Sequence, residues 1–536
     1  MKMTKTVRSI TLERCPRILQ RKAFCAELYT LVVGLMVVCI GVVNAVGQSP
    51  VGPDSGSNPQ MTGTGQFMAL SADRTHLVNT FTNKPVFITG DTAYNLTTQL
   101  TSDADVEAYL SDRQAKGINL IWVGIVDQSS HGEGAHPPGR SPGDGFNQKD
   151  AFGNDPWNGG PDFTGMEQAT AYWAHVDDVL KRAAAHGITV LAGTAFSATF
   201  GSCKLPYFSA MAISSDETMK AYGAFLGKRY KSYPNIIWLQ GGDANVKLCG
   251  SDLAKKTGDI AEGILSEDTR HLMAVEATDG VWGEASATSW SSYTFGPANP
   301  RGWLTLGTIY PKGTPDKDFS AEIAQIVSQS MTETEATPFV PFFSMEDPYE
   351  YEPWSRDPYD DQQLRQEGYT EILSGATLGR LFGSAAVWPF GAGCCQHASR
   401  WQVSMERQAS FDQERLGQLF RSREHWKLVA DTNHTVVTAG FGSGEDFTIA
   451  ARTSDGQTII AYVPNGSDAT LTVDMARITS GIHQATCWWF NPSSGVTKLI
   501  GSFATFGKKN FTPPDANDWV LVLDDTAANL PAPASP

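Results

Sequence analysis

Two segments of the sequence place a carboxylate directly after an apolar run and could carry acid–base chemistry. In "IIWLQGGDAN" (residues 236–245), Asp243 follows two glycines, and in "FFSMEDPYEY" (342–351), Glu346 follows a short apolar stretch. Taken singly, each carboxylate fits a turn or a helix cap. Taken together they are a candidate pair for breaking a glycosidic bond, since that reaction needs one protonated and one ionised carboxyl group.

A wider set of acidic, amide and aromatic residues lies at or near the ends of other apolar runs. Carboxylates can bind sugar hydroxyls and aromatic rings can stack on sugar faces, so we expect this set to bind substrate. We find no HExxH, no CxxC pair and no Ser-His-Asp order, and we expect neither a metal nor a cofactor. The predicted substrate-binding residues are Asp91, Tyr94, Trp122, Gln240, Glu276, Tyr310, Tyr349, Glu350 and Trp388.

The elements that must position these residues alternate between strand and helix over residues 75–430. Eight apolar, β-branched runs are separated by segments of helical periodicity, such as "TSDADVEAYLSDRQAKG", in which Ser102 is a candidate N-cap. This order predicts a (β/α)8 TIM barrel, an α/β fold whose chemistry lies at the C-terminal ends of the strands. A doubly wound open sheet is the alternative, but no glycine-rich phosphate fingerprint follows the first strand.

Residues 431–526 lose the helical period and read as a C-terminal β-sandwich. Seven short strands, from "HTVVTAG" to "DWVLVLDD", are separated by turn residues. Because no flexible linker precedes this module, we expect it to pack against the barrel. We expect residues 527–536 to form a disordered tail.

The N-terminal region predicts export. A basic stretch and an apolar run make residues 1–46 a signal peptide or a membrane anchor, and residues 47–74 are rich in Pro, Gly and Ser, as in flexible linkers. We therefore expect a secreted, periplasmic or cell-surface protein that contacts a membrane only through that anchor. The net charge of −16 argues against nucleic acid as a partner. Among the eight cysteines, a Cys203–Cys249 disulfide is left open.

Several of these motifs resemble one family. "FITGDTAYNLTTQLTSDADVEAYLSDRQAKGIN", "YGAFLGKRYKSYPNIIWLQGGD", "SMEDPYEY" and, near the C-terminus, "WWFNPSSG" are similar, in this order, to blocks of the apiosidase-like glycoside hydrolases. In that family a TIM barrel precedes a β-domain named for collagen binding. The resemblance covers most of residues 75–525.

The resemblance implies Asp243 as general acid/base and Glu346 as nucleophile of a retaining reaction on plant or microbial oligo- or polysaccharide. It also implies that Asp91, Tyr349 and Glu350 line the substrate site. The sequence departs from the family pattern at "VEATDG" and after Asp243, so the sugar is left open. Two alternatives remain: an inverting hydrolase, and a non-catalytic protein that binds carbohydrate or matrix.

Overall fold

A computed structural model describes most of the chain from residue 65 to residue 535. The described residues exclude 101, 127–148, 158–162, 196–205, 243–250, 277–301, 310, 312–319, 322, 326, 329–330, 332–339, 347, 352–358, 391–399 and 468. The predicted targeting segment, Asp243, Tyr310 and the Cys203–Cys249 pair therefore lie outside the described residues. Within the described part, no helix combines the length and apolar character that crossing a membrane requires.

Eight parallel strands form the predicted barrel. Neighbouring strands pair in the order β8-β7-β6-β5-β4-β11-β10-β9, and a parallel bridge between Ala274 and Leu306 joins the two ends of the sheet. All eight predicted strands occur in their predicted order, which confirms the fold class. The strands are β4 (Ile88–Thr92), β5 (Leu120–Gly124), β6 (Thr189–Gly193), β7 (Ile236–Gly241), β8 (Leu272–Glu276), β9 (Gly307–Ile309), β10 (Phe342–Ser344) and β11 (Gly379–Phe382).

Side chains alternate between the inside and the outside of this barrel. On β5, Leu120 and Trp122 join the interior cluster, whereas Ile121 and Val123 pack outward against the helices. This period of two, imposed by strand geometry, decides which residues at the strand ends can face the barrel mouth.

Helices surround the barrel, and local sequence signals set where several of them begin. Ser102 accepts a hydrogen bond from the Asp105 amide (3.1 Å), as predicted, and Ser215 does the same for Thr218 (3.1 Å). The helices are α1 (Leu96–Gln99), α2 (Asp103–Ala115), α3 (Thr170–Ala185), α4 (Pro206–Ile213), α5 (Asp216–Tyr230), α6 (Ser251–Glu267), α7 (Asp361–Ser374), α8 (Trp401–Ser404) and α9 (Gln408–Arg421).

A small antiparallel sheet closes the N-terminal end of the barrel. Its strands are β1 (Ala69–Leu70), β2 (Leu77–Asn79) and β3 (Lys84–Val86). Met68 and Leu77 are buried in the barrel's interior cluster, and the Phe67 amide bonds the Pro234 carbonyl at 2.8 Å. Residues 65–74 are thus folded, so the predicted flexible linker (47–74) extended about ten residues too far.

The C-terminal region contains two antiparallel sheets. The seven predicted strands are all present, and two were missed: Leu428–Ala430 and Lys508–Phe511. One sheet has the order β12-β14-β15-β20-β17-β18 and the other β13-β16-β19. The strands are β12 (Leu428–Ala430), β13 (Val437–Ala439), β14 (Ile449–Thr453), β15 (Thr458–Val463), β16 (Leu471–Asp474), β17 (Gln484–Phe490), β18 (Thr497–Ala504), β19 (Lys508–Phe511) and β20 (Trp519–Asp525).

The six-stranded sheet packs on barrel helices α7 and α9. Tyr369 of α7 stacks on Tyr462 of β15 with ring centroids 4.8 Å apart, inside a hydrophobic cluster shared by both domains. The Arg365 side chain of α7 donates a hydrogen bond to Asp518, the residue immediately before β20, at 2.8 Å. The expected packing of the terminal module against the barrel is therefore present.

Residues 531 and 533, near the end of the chain, also pack where the barrel meets the C-terminal domain. The Pro531 carbonyl accepts a hydrogen bond from the Arg423 guanidinium at 3.0 Å, and the Pro533 carbonyl accepts one from the Thr497 hydroxyl at 3.1 Å. The prediction that residues 527–536 form a disordered tail was therefore wrong over residues 527–535.

Candidate active site

Glu346 lies two residues beyond the end of β10, at the barrel mouth. Its side chain is buried, and the Tyr349 hydroxyl donates a hydrogen bond to its Oε1 at 2.7 Å. The Tyr349 hydroxyl is in turn hydrogen-bonded to the hydroxyl of Tyr94, which follows β4. Tyr94 lies 252 positions before Glu346 in the chain, and Tyr349 lies 3 positions after it. The structure thus brings these three predicted site residues together.

Four aromatic residues form one cluster around these hydroxyls: Tyr94, Trp122, Tyr349 and Trp388. The ring of Tyr94 meets Trp122 edge-on at 4.4 Å and Trp388 at 5.2 Å. Both tryptophans are fully enclosed. They therefore lie in the floor of the barrel mouth, next to the tyrosines that contact Glu346, and their predicted contact with substrate stays a prediction. Trp388 also lies in the turns after β11 and not within the strand.

A glycine after β11 leaves room for the Tyr349 ring. A Cβ on Gly383 would lie 2.4 Å from two carbons of that ring and 3.0 Å from the Thr92 hydroxyl oxygen. Any side chain at position 383 would displace the Tyr349 ring. Glycine is therefore needed here to keep Tyr349 where it can donate to Glu346.

Asp91 does not face the barrel mouth. Ile88 points into the barrel, and the alternation along β4 directs Asp91 outward, where its Oδ2 accepts hydrogen bonds from Tyr109 (2.7 Å) and Arg113 (3.1 Å) of α2. Burial raises the pKa of Asp91, and the Arg113 charge opposes that change. Asp91 joins strand to helix, which corrects its predicted contact with substrate.

Gln240 also points outward. Ile237 and Leu239 face the interior, so Gln240 of β7 faces away from it, and its Oε1 accepts a hydrogen bond at 2.8 Å from the hydroxyl of Thr194, the residue after β6. This corrects the prediction that Gln240 binds substrate. Within the described part of the chain, its Nε2 is buried without a hydrogen-bond partner.

The two glycines that follow Gln240 adopt backbone conformations that favour glycine. Gly241 has φ +87° and Gly242 has φ +122°, and a Cβ on Gly241 would lie 2.2 Å from the Glu276 carbonyl oxygen. β7 therefore ends in a sharp turn packed against β8. Asp243 is the next residue and lies outside the described residues, as does Tyr310.

Two further predicted acids are buried near the strand ends. Glu276 ends β8 and follows Leu272 and Ala274 in the inward-facing register. Burial raises the pKa of Glu350 to about 7, although the Ser384 hydroxyl and the Arg407 charge oppose that rise. Glu350 is therefore a carboxyl group that can carry a proton near neutral pH.

The sequence interpretation missed Tyr109 and Arg113, which hold Asp91. A signal for them exists: Val106, Tyr109, Leu110 and Arg113 all lie on the buried face of α2. An arginine on an otherwise apolar helical face predicts a buried acid opposite it, because an unpaired buried charge is too costly.

Known proteins similar to this chain support one assignment. Residues 71–427 match the family model described as "Apiosidase-like, catalytic domain", and residues 432–524 match one described as "Putative collagen-binding domain of a collagenase". No curated protein matches the chain.

Two solved structures share the fold at low sequence identity. One is a family 5 glycoside hydrolase from Bacteroides vulgatus ATCC 8482, with 20% identity, a TM-score of 0.67, and coverage of 86% of this chain and 94% of that one. Another, described as a glycoside hydrolase, has 21% identity, a TM-score of 0.68, and coverage of 87% and 98%. The catalytic-domain match spans more than half of the sequence: the chain belongs to the apiosidase-like family of glycoside hydrolases.

Proposed function

We propose that the protein hydrolyses a glycosidic bond with retention of configuration, with Glu346 as nucleophile. The observation that carries this proposal is the buried Glu346 carboxylate at the end of β10, bonded by the Tyr349 hydroxyl. A buried carboxylate with a fixed donor is oriented for attack. Glu346 attacks the anomeric carbon, the bond to the leaving oxygen breaks, and a glycosyl-enzyme ester forms.

Asp243 supplies the proton in this proposal. It transfers its proton to the leaving oxygen in the first step, and in the second it takes a proton from the water that attacks the anomeric carbon and releases Glu346. The support is its position immediately after the Gly241-Gly242 turn, whose positive φ angles favour glycine, at the end of β7. In a parallel barrel the carboxyl ends of all strands share one face, so the ends of β7 and β10 both belong to the mouth.

The first experiment is to vary the leaving group. Asp243→Asn should slow hydrolysis of glycosides with poor leaving groups far more than hydrolysis of activated aryl glycosides, since only the former need a proton. Equal loss on both kinds would reject Asp243 as the acid. Glu346→Gln should abolish turnover, and substantial residual activity would reject it as nucleophile. Asp446→Asn and Glu445→Gln, at exposed positions of the terminal domain, are matched controls.

A second experiment distinguishes retaining from inverting chemistry. Proton NMR of the first-formed product gives its anomeric configuration. The same configuration as the substrate supports the double displacement, whereas the opposite one makes Glu346 a general base that activates water. A mass increase of one sugar on the peptide containing Glu346, after treatment with a fluorinated slow substrate, would identify the ester directly.

The substrate class that we propose is a plant or microbial oligo- or polysaccharide. A panel of pyranosides and furanosides, including arabinose, galactofuranose and apiose types, would identify the sugar. We also propose that the protein is exported, on the basis of the basic and apolar residues of segment 1–46. Fractionation of the expressing cells and the N-terminal sequence of the mature protein test this, and a full-length cytoplasmic product would reject it.

A non-catalytic binding protein is the second candidate, supported by the collagen-binding description of the family that residues 432–524 match. Incubating the protein with glycans and with immobilised collagen separates the two functions. Release of sugar supports the hydrolase. Binding without release, unchanged in Glu346→Gln, supports the alternative.

A further inference from the structure

We propose that Tyr94 is a positioning residue that acts on Glu346 through Tyr349. The inference rests on the proposed role of Glu346 as nucleophile. Both tyrosines were predicted to bind substrate, yet each is buried, and their hydroxyls are hydrogen-bonded to one another. The arrangement is a chain of two hydroxyl groups that ends on the Glu346 carboxylate.

The direction of this chain follows from counting hydrogens. A phenol hydroxyl has one hydrogen, and Tyr349 uses it to donate to Glu346 Oε1 at 2.7 Å. The Tyr349 oxygen must therefore accept from Tyr94, which is the donor of the pair. Because a hydroxyl that accepts a hydrogen bond becomes a stronger donor, Tyr94 strengthens the bond from Tyr349 to Glu346.

The surrounding packing fixes the first member of the chain. Trp122 and Trp388 contact the Tyr94 ring edge-on, at 4.4 Å and 5.2 Å, and its carbonyl accepts a hydrogen bond from the Gly124 amide at 3.0 Å. Both tyrosine side chains are buried, so packing holds the two hydroxyls beside each other before substrate arrives. The function of the aromatic cluster is then to hold a donor in place.

The chemical consequence concerns the charge on Glu346. Attack on the anomeric carbon requires the ionised carboxylate, and a donor chain aimed at Oε1 stabilises that form. The same donors stabilise the carboxylate when water later releases it from the sugar. Tyr94 thus affects both steps without touching the substrate.

The test is a double-mutant cycle read by the protonation of Glu346. Difference infrared spectroscopy between pH values detects protonated carboxyl groups, and subtraction of Glu346→Gln assigns the Glu346 band without any substrate. The measured quantity is the midpoint, the pH at which half of the Glu346 carboxyl groups are protonated. Tyr349→Phe should move this midpoint upward by about one pH unit or more, the amount expected from losing a hydrogen bond to a charged group. Tyr94→Phe should move it upward by less. Tyr172→Phe, which removes a buried hydroxyl bonded to the Ile125 carbonyl, should leave it unchanged.

The combination of the two changes is the decisive variant. If Tyr94 acts through Tyr349, adding Tyr94→Phe to Tyr349→Phe should cause no further change in the midpoint. An equal change in both backgrounds, or none in either, overturns the proposal. Fluorotyrosine at position 94 keeps the ring and makes the hydroxyl more acidic, so it should lower the midpoint; no change there also overturns the proposal, whether or not Tyr94→Phe folds.

The outcome is separable from that of the proposed function. A midpoint that responds as expected, in a protein that releases no sugar from any glycoside, rejects the hydrolase and leaves the chain of hydroxyls in place. An active enzyme whose midpoint does not respond rejects the chain alone. In an active enzyme, the apparent pKa of the acidic limb of the kcat/KM profile should increase in each variant by the same amount as the infrared midpoint.

Discussion

The buried carboxyl group of Glu350 should make the free energy of unfolding depend on pH, and this can be measured without substrate. Burial raises the pKa of Glu350 from an ordinary 4.5 to about 7, with Asp361 and Asp91 adding to the rise and Ser384 and Arg407 opposing it. Between these two values the folded protein holds a proton that the unfolded chain has lost. Stability therefore falls as pH rises through this window, because the native state binds more protons than the unfolded state.

The size of the effect follows from the same two values. At about 1.4 kcal/mol per pH unit, the interval from 4.5 to about 7 corresponds to about 3 kcal/mol. This penalty is absent below the lower value and complete above the upper one. Glu350→Gln removes the ionisable group and keeps the shape, so its stability relative to the native protein should grow by about that amount across the window.

The assay is equilibrium denaturant unfolding of both proteins at a series of pH values between about 4 and 8. The exposed Glu445→Gln is the matched control, and its difference from the native protein should not vary with pH in this way. A constant offset between Glu350→Gln and the native protein can arise from packing and does not bear on the argument. A difference that does not change across the window would refute it.

Two further predictions concern the framework. Arg113→Met should destabilise the protein by about 3–5 kcal/mol, because it leaves the buried Asp91 without its charge partner; adding Asp91→Asn should restore part of the loss in denaturant unfolding, and no restoration would contradict the pairing. Gly223→Ala should cost about 1–3 kcal/mol in the same assay, since its Cβ would lie 2.0 Å from the Ile260 carbonyl oxygen of α6. Gly481→Ala has open space, so it should be close to neutral, and equal losses in the two variants would contradict the packing argument.

The fold was predictable because its signals are local and repeated. Eight apolar, β-branched runs are separated by segments of helical periodicity with caps such as Ser102. This repeated pattern predicts a parallel barrel whichever individual residues occupy the strands and helices. The strand "KKNF" (508–511) was missed because it is a polar edge strand, in which Phe511 is the only buried side chain.

The residue types at the strand ends could also be predicted from the sequence, but the direction in which each side chain points could not. The sequence by itself determined that Asp91, Gln240 and Glu276 would lie at the ends of strands. It did not determine on which face each side chain would lie, since a shift of one residue in strand register exchanges the two faces.

Only the tertiary structure decided that Asp91 and Gln240 turn outward to α2 and Thr194, while Tyr94 turns inward to Tyr349 and Glu346. The physical reason is that each of these side chains is fixed by a partner distant in the chain, and a local pattern does not identify which residue that partner is. The double glycine after Gln240 was recognisable from the sequence as a turn. The contact with β8 that makes glycine necessary there exists only in the folded barrel.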